Sequence, residues 1–595
     1  MLPSSPATLL RNVLRILVPL SVVITAHLYL YPVFQRCAFP LPNESAHGVD
    51  PGGRWDAFVE TARLHVPWAD RSQNVANASD MRTRLAPFRL LALGDPQLEG
   101  DTSIPNAHGA SFPHLHHIIE HITFRSEHES LRERVRQSLH NLVDFWLEDI
   151  PNTLESIRKR VDLFGNDFYL AHIYRSVRWW AVPTHVSVLG DLLGSQWIED
   201  DEFEKRADRY WNRVVRGGER VPDGLALYPA DEYDLAGYLG GVANNETEAW
   251  TRRIINVAGN HDIGYAGDIN DERLGRFERL FGKVNYELRF EMPPSALSPA
   301  GAASIFDEES NPHSTRLLPE LRIVNLNDMN LDTPALSGDI QDATYGFINA
   351  VINTASAVEY QGHFTLLLTH VPLFKPEGVC VDPPHFSFHE HDGTLQEQNQ
   401  LSADASRGFL EGIFGMHGNK DAPGQGRGRP GVILNGHDHE GCDTFHYINQ
   451  QHGASAGERS WEAMPWTPAR DGGVVGRPGQ PGIREITVRS MMGDFGGNAG
   501  LLSIWFDEGD WEWKTEFATC ALGRQHVWWA VHILDFATVF GVFVYLVLVG
   551  LKVVGLDLDK WPTIEREGVA KKAETLAQGA KPTANGTANE PKALG

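Results

Sequence analysis

Five short stretches of this chain carry side chains able to bind hard divalent cations. They are Gly94-Asp95-Pro96-Gln97, Gly190-Asp191-Leu192-Leu193, Gly259-Asn260-His261-Asp262, Thr369-His370 and Gly436-His437-Asp438-His439. Carboxylate, carboxamide and imidazole together suit manganese, iron or zinc. No cysteine lies among them, which argues against a soft thiolate site. A glycine before the ligand gives a tight turn and lets backbone and substrate approach closely. Taken singly, a Gly-Asp pair is usually a turn and Gly-His-Asp-His usually an exposed loop. Five such stretches in one chain, each closing an apolar run, point to one metal centre.

Those apolar runs are the elements that must position the ligands. FRLLALGD, THVSVLGD, RRIINVAGNHD, LRIVNLND, HFTLLLTH and GVILNGHDH are short and rich in Val, Ile and Leu, and each ends in a polar residue. They read as buried strands. Helical stretches lie between them, at Leu131 to Leu163 and Asp271 to Leu280. Strands alternating with helices imply an α/β fold with its ligands at the carboxyl ends of strands. After Ile483 the runs IREITVRSMM, GLLSIWFDE and WEWKTEFATC follow without helices between them, as antiparallel strands completing a sheet. Polar, Gly/Pro-rich insertions near 419–431 and 454–482 read as mobile surface loops.

The chain has 595 residues, 42% of them hydrophobic, and a formal net charge of -25. That charge and the lack of a basic stripe argue against a nucleic-acid partner. Residues 16–34 are uncharged and near the ~20 residues that span a bilayer. A second apolar segment covers 527–554. Arg11 and Arg15 precede the first, and Lys552, Lys560, Arg566, Lys571 and Lys572 lie at the end of or beyond the second. The positive-inside tendency therefore puts both termini in the cytosol and the middle in a lumen. The organisation read from this is a cytosolic 1–15, a membrane helix 16–34, a lumenal stalk 35–87, a catalytic domain 88–525, a membrane helix 527–554 and a disordered cytosolic tail 555–595. Sequons at Asn43, Asn77 and Asn245 fit that topology. Asp535 and His532, at the edge of the second segment, read as interfacial groups. Of the four cysteines, Cys380 and Cys442 could pair, as could Cys37 and Cys520.

His114, His116, His117 and His121 read as part of a helix near the site mouth rather than as ligands. Trp179 and Trp180 read as a core or groove pair, Trp528 and Trp529 as an interface belt.

The motif set resembles the calcineurin-like metallophosphoesterases, over about Phe88 to Asp507. The resemblance implies a four-layer α/β/β/α sandwich and a site with two divalent ions that clamp a phosphate and activate a water. Manganese is favoured, with zinc or iron as alternatives. Carried over position by position, Asp95, Asp191 and His439 would hold one metal. Asp191, Asn260, His370 and His437 would hold the other. His261 would protonate the leaving oxygen, and Asp262 would orient His261. Gln97 stands where the family pattern has histidine; its neutral oxygen is a weaker candidate ligand, which would leave the first metal more exchangeable.

Within that superfamily the chain resembles the membrane-anchored enzymes that remodel GPI anchors. The matching stretches are GDLLGSQWIEDDEF, GNHDIGY and THVPLF, with two flanking membrane segments. This implies removal of an ethanolamine-phosphate branch from a mannose of the GPI glycan, the second mannose being favoured. It implies residence in the endoplasmic reticulum membrane, with the Golgi as an alternative. Its partners would be the GPI glycolipid or GPI-anchored proteins, with the export machinery in addition. Two other readings are a secretory-pathway metallophosphatase with a different substrate and a non-catalytic export adaptor. The loops at Pro376 to Gln400 and Ala454 to Gly482 are the candidates for controlling access.

Overall fold

The computed structural model describes residues 6–42, 85–107, 109–126, 130–240, 245–306, 317–417, 421, 423–448, 460–477 and 480–556, with isolated positions at 61, 65, 419, 571–572 and 574–575. The sequons at Asn43 and Asn77, nearly all of the stalk and the end of the tail lie outside the described residues.

The chain divides into two compact units, 1–29 with 527–595, and 30–526. The first contains most of two long apolar helices, Pro6–Phe34 and Gln525–Val553, both long and apolar enough to cross a membrane. Within it the Asp535 carboxylate accepts hydrogen bonds from Ser21 Oγ and, at 2.7 Å, from Thr25 Oγ1. Two hydroxyls of the partner helix satisfy it, as a carboxylate in an apolar helix pair requires.

The larger unit is mixed α/β. Its strands in chain order are β1 (Phe88–Leu93), β2 (His185–Leu189), β3 (Glu219–Arg220), β4 (Gly237–Tyr238), β5 (Arg253–Val257), β6 (Tyr286–Glu291), β7 (Glu320–Asn325), β8 (His363–Leu368), β9 (Phe386–Phe388), β10 (Leu395–Gln398), β11 (Gly431–Asn435), β12 (Cys442–Ile448), β13 (Trp461–Pro465), β14 (Gly482–Thr487), β15 (Asn498–Asp507) and β16 (Glu512–Ala521). One sheet runs β16-β15-β1-β2-β5-β3 and a second β13-β12-β14-β11-β8-β7-β6-β4; β9 and β10 form a small ribbon. In the first sheet β1, β2, β5 and β3 are parallel, while β15 and β16 close one side antiparallel. In the second, β7, β8, β11 and β14 are parallel.

The core lies between the sheets. Leu90, Leu189 and Val257 from the first meet Leu288, Ile323, Leu366, Leu434 and Ile486 from the second in one cluster of buried side chains. Strands covered on both faces have no solvent side to show, so β2, β5 and β11 are buried almost throughout, and the polar His185, Ser187 and Asn256 on them are buried with the rest. Helices cover the outer sides: Tyr210 Oη reaches Asn256 of β5 at 2.7 Å, and Arg322 of β7 reaches the Val351 carbonyl in helix Gly338–Asn353 at 2.9 Å.

Three expectations need correction. The runs after Ile483 do not complete a single sheet: β14 joins the second sheet between β11 and β12, and β15 and β16 join the first, where β15 is antiparallel to both β1 and β16. The 454–482 insertion is not a loop throughout. It contains edge strand β13 and helix Trp466–Asp471, with Phe445 and Arg484 against Trp466. Trp179 is not a core residue; it is exposed and stacks on His65. Both disulfides form as the cysteine positions allow, Cys37–Cys520 and Cys380–Cys442.

Candidate metal centre

All five ligand stretches follow carboxyl ends of strands: Asp95 after β1, Asp191 after β2, Asn260 after β5, His370 after β8 and His437 after β11. The two sheets thus deliver their ends to one place. The turns there are unusual. Asp95, Gln97, Asp191 and His437 have φ of 37°, 39°, 49° and 70°. A non-glycine residue visits this region at a cost, and such residues gather at functional sites. Gly190 also has positive φ, and a Cβ there would lie 2.1 Å from His370 Nδ1. At Gly259 a Cβ would meet Asp191 Oδ1 at 2.3 Å. Both positions are glycine because ligand atoms occupy the space a side chain would need.

Asp191 sits at the centre and is buried. Its oxygens face the His261 amide N–H at 2.9 Å, His370 Nε2 at 3.3 Å and Gln97 Nε2 at 2.9 Å. Burial alone would raise its pKa, but His370, His261 and His437 outweigh this and hold it below the ordinary carboxylate range. Asn260 Oδ1 lies 2.9 Å from His370 Nε2 and 3.0 Å from His437 Nδ1. On the other side Asp95 lies 3.2 Å from His439 Nε2 and accepts the His437 amide N–H at 3.0 Å.

These residues form two groups able to hold a divalent ion: Asp191, His370 and His437; and Asp95, Asp191 and His439. In each group the candidate donor atoms lie within 4.8 Å of one another. Asp191 belongs to both. The imidazoles are oriented for coordination by their other nitrogens. His370 Nδ1 lies 2.8 Å from the Leu189 carbonyl and His437 Nε2 2.9 Å from the Gln398 carbonyl, so each can donate there and leave the nitrogen facing the centre unprotonated. Burial opposes a charged His370, yet Asp191 and Asp95 raise it to about 10. His437, by contrast, is pushed down to about 4 by burial and then by His370. The donor set fits hard or borderline divalent metal.

Gln97 is in the site. Its amide Nε2 lies 3.1 Å from His439 Nε2 as well as 2.9 Å from Asp191. It is placed as a donor to the ligand carboxylate, with its oxygen turned away. A half-turn of the amide would exchange the two ends. Gln97→His is expected to tighten binding in the Asp95 group by on the order of 10-fold, because imidazole adds a stronger donor than a carboxamide. Metal titration by calorimetry measures this, and an unchanged affinity would place residue 97 outside the coordination set.

His261 lines the cleft with its ring partly exposed and Nε2 3.8 Å from Asp191. Asp262 does not orient that ring. Its carboxylate accepts the amides of Leu192, Leu193 and Gly259 at 3.1, 2.9 and 2.9 Å. It therefore ties the turn after β2 to the turn after β5. Burial, and then Asp191, push it up to about 7.

The cleft over the centre has a volume of about 570 Å³. Asp382, Gln396, Glu397 and Asn399 line it from the 376–400 segment, which is not a loop throughout: it carries β9 and β10, with Gln396 and Glu397 on β10. Among the described residues of 454–482 none lines it. The helix Pro113–Ile122 is not among its lining residues either, and His114 is instead bonded to Asp149 at 2.7 Å. Sequence reading missed several supporting groups. Asp328 accepts the amides of His370 and Val371, each at 3.2 Å, and Phe495 packs edge-on against His439. Asp328 carried a signal, a strand-terminal carboxylate; Gln398 acts through its backbone and carried none.

Over 567 residues the chain is 33% identical to Protein TED1 of Saccharomyces cerevisiae, covering 88% of this chain and 95% of that protein. An uncharacterized protein of Schizosaccharomyces pombe is 26% identical over 391 residues, 63% of this chain and 78% of its own length. Metallophosphoesterase 1 of Danio rerio is 20% identical over 288 residues, 48% of this chain and 60% of its own length. No protein-family model matches. With identity at this level over nearly its whole length, the chain belongs to the same family as Protein TED1 of Saccharomyces cerevisiae, and it fits the metallophosphoesterase superfamily.

Proposed function

We propose that this protein is a dinuclear metal-dependent phosphodiesterase. Its substrate is an ethanolamine-phosphate branch on a mannose of the GPI glycan, the second mannose in preference. The observation that carries the hydrolytic reading is the pair of donor groups sharing Asp191 at the base of an open cleft. The reading includes a four-layer α/β/β/α sandwich, supported by two sheets that share one core and carry helices on their outer sides.

Bound there, two divalent ions, manganese in preference, would supply a clamp for the phosphate and activation of water. The chain's own residues do the rest. Asp95, Asp191, Asn260, His370, His437 and His439 hold the ions. His261, at the wall of the cleft, donates a proton to the mannose oxygen as its bond to phosphorus breaks. Asp262 keeps the turns carrying Asp191 and Asn260 in register. Asp382 and Glu397 on the cleft wall favour a phosphoester that carries an ammonium group and disfavour a polyanion.

The proposed organisation is a catalytic domain, 88–525, held at the lumenal face of the endoplasmic reticulum membrane by helices at 16–34 and 527–554. GPI-anchored proteins awaiting export would be its partners. The test is release of phosphoethanolamine from a synthetic mannose bearing that branch, by full-length protein with manganese, beside Asn260→Ala and a panel of nucleotides and phosphoproteins. Release by the wild type alone is expected. Turnover of another phosphoester instead would replace the substrate, and no turnover of any, with metal bound, would favour the adaptor reading.

A further inference from the structure

The backbone is helical from Leu131 to Ala181 without a break. It comprises α-helix Leu131–Asp144, a π-turn at Phe145–Asp149, and α-helix Ile150–Ala181. Its last third packs on the domain: Tyr169, Leu170, Ile173 and Tyr174 are fully buried, and Asp167 is held by Arg209 and Arg213 at 2.7 Å each. The first two thirds do the opposite. Leu131, Val135, Leu139, Leu142 and Trp146 are 45–66% exposed. So are Leu154, Ile157, Val161, Phe164 and Phe168, at 37–63%.

Within each half the spacing is three or four residues, which is one stripe on a helix. Between Trp146 and Leu154 it is eight, which would rotate the second stripe by about 80° on a regular helix of 3.6 residues per turn. A π-turn accommodates one extra residue and so brings the halves back into phase. The result is a single apolar stripe of roughly 55 Å at 1.5 Å per residue. Soluble surfaces rarely expose contiguous apolar patches of this size.

What covers the stripe is indicated by where the helix is anchored. Just past Phe168, Tyr169 Oη donates to the Gly523 carbonyl at 2.6 Å. Gly523 lies two residues before the apolar helix Gln525–Val553 begins, and Cys520 beside it is bridged to Cys37, three residues beyond the end of Pro6–Phe34. The stripe therefore starts beside the point where both ends of this unit pass into the apolar helices.

We infer that the Leu131–Phe168 stripe lies in the surface of the lipid bilayer that the two terminal helices enter. It acts as a third, interfacial membrane contact that fixes how the catalytic unit rests on the membrane. A helix with Leu, Val, Phe and Trp on one side and exposed charges of both signs beside them, Arg132, Glu133, Arg136, Glu148 and Arg160, is amphipathic as such an element requires. The inference rests on the membrane association of the chain and not on its hydrolytic activity.

The test uses full-length protein reconstituted in phosphatidylcholine vesicles containing a phospholipid with a photoactivatable diazirine in its acyl chain. After irradiation, adducts are mapped by peptide mass spectrometry. Adducts are expected within 131–168 as well as in the two terminal helices. The variant Leu139→Glu/Leu142→Glu/Trp146→Glu should lose at least five-fold of the 131–168 labelling, with labelling of 525–553 and the thermal midpoint in detergent unchanged. Wild-type labelling confined to the terminal helices would overturn the inference. So would cross-links from a photo-cross-linking amino acid placed at position 142 that join the stripe to a second copy of the chain or to residues 43–84.

Discussion

Asp191→Asn is expected to lower phosphoester hydrolysis by at least about 10³-fold, equivalent to roughly 4 kcal/mol of transition-state stabilisation. No other ligand is shared by the two donor groups. The carboxamide keeps the shape and can still accept the His261 amide N–H, which is 2.9 Å from Oδ1 in the wild type. It removes the negative charge that both ions would use. Metal-free stability should fall as well, because buried His370 loses the carboxylate that faces it at 3.3 Å, so turnover is compared at a temperature where the thermal midpoint shows the variant folded. Metal content should fall from two ions to one or none. An Asp191→Asn protein that retains wild-type turnover would overturn the dinuclear reading.

Lys375→Met should destabilise the larger unit by about 3–5 kcal/mol, the usual cost of leaving one partner of a buried ion pair alone. Lys375 follows His370 by five residues and is 1% exposed; its Nζ lies 2.8 Å from Glu485 of β14, which is 0% exposed. The same carboxylate accepts the Leu373 amide and Asn435 Nδ2, both at 2.7 Å, and faces His446 Nε2 at 2.6 Å. Glu485 therefore joins the segment after His370 to the end of β11, which carries His437. Burial would raise its pKa, but Lys375 and His446 hold it far below the ordinary range. Lys375→Met leaves that charge buried without its cation, and the two ligand-bearing strand ends lose their common anchor. Adding Glu485→Gln removes the stranded charge and should recover part of the loss. Equilibrium unfolding of both variants checks this, and a single variant as stable as the wild type would contradict it.

The cluster of candidate ligands was legible because each is local: an apolar run, a turn and a donor atom fall within a few consecutive residues. What surrounds them depends on distant segments meeting. Asp262 is two residues from a ligand, yet its hydrogen bonds go to Leu192 and Leu193, whose approach no local pattern announces. Gln97 could be flagged as a departure, but whether its oxygen or its nitrogen faces Asp191 follows from packing. In the fold, β6 escaped because Glu287 and Arg289 interrupt its apolar pattern. Both are buried and paired, Glu287 with Arg322 and Arg289 with Glu320 on β7, an arrangement visible only once the strands adjoin. The long helix was legible as helix from Leu131 to Leu163, but its continuation to Ala181 was not. The exposure of its apolar stripe was not, since the same spacing ordinarily marks a face turned to a core.

The most direct test of the central claim is the metal content of full-length purified protein equilibrated with manganese, determined by elemental mass spectrometry alongside hydrolysis of a simple phosphodiester. Two ions per chain are predicted, with activity rising as the second site fills, and with the Asp95 group, where Gln97 stands, the weaker of the two. A single ion per chain at saturation, or full hydrolysis after complete removal of metal, would contradict a centre in which Asp191 serves two cations.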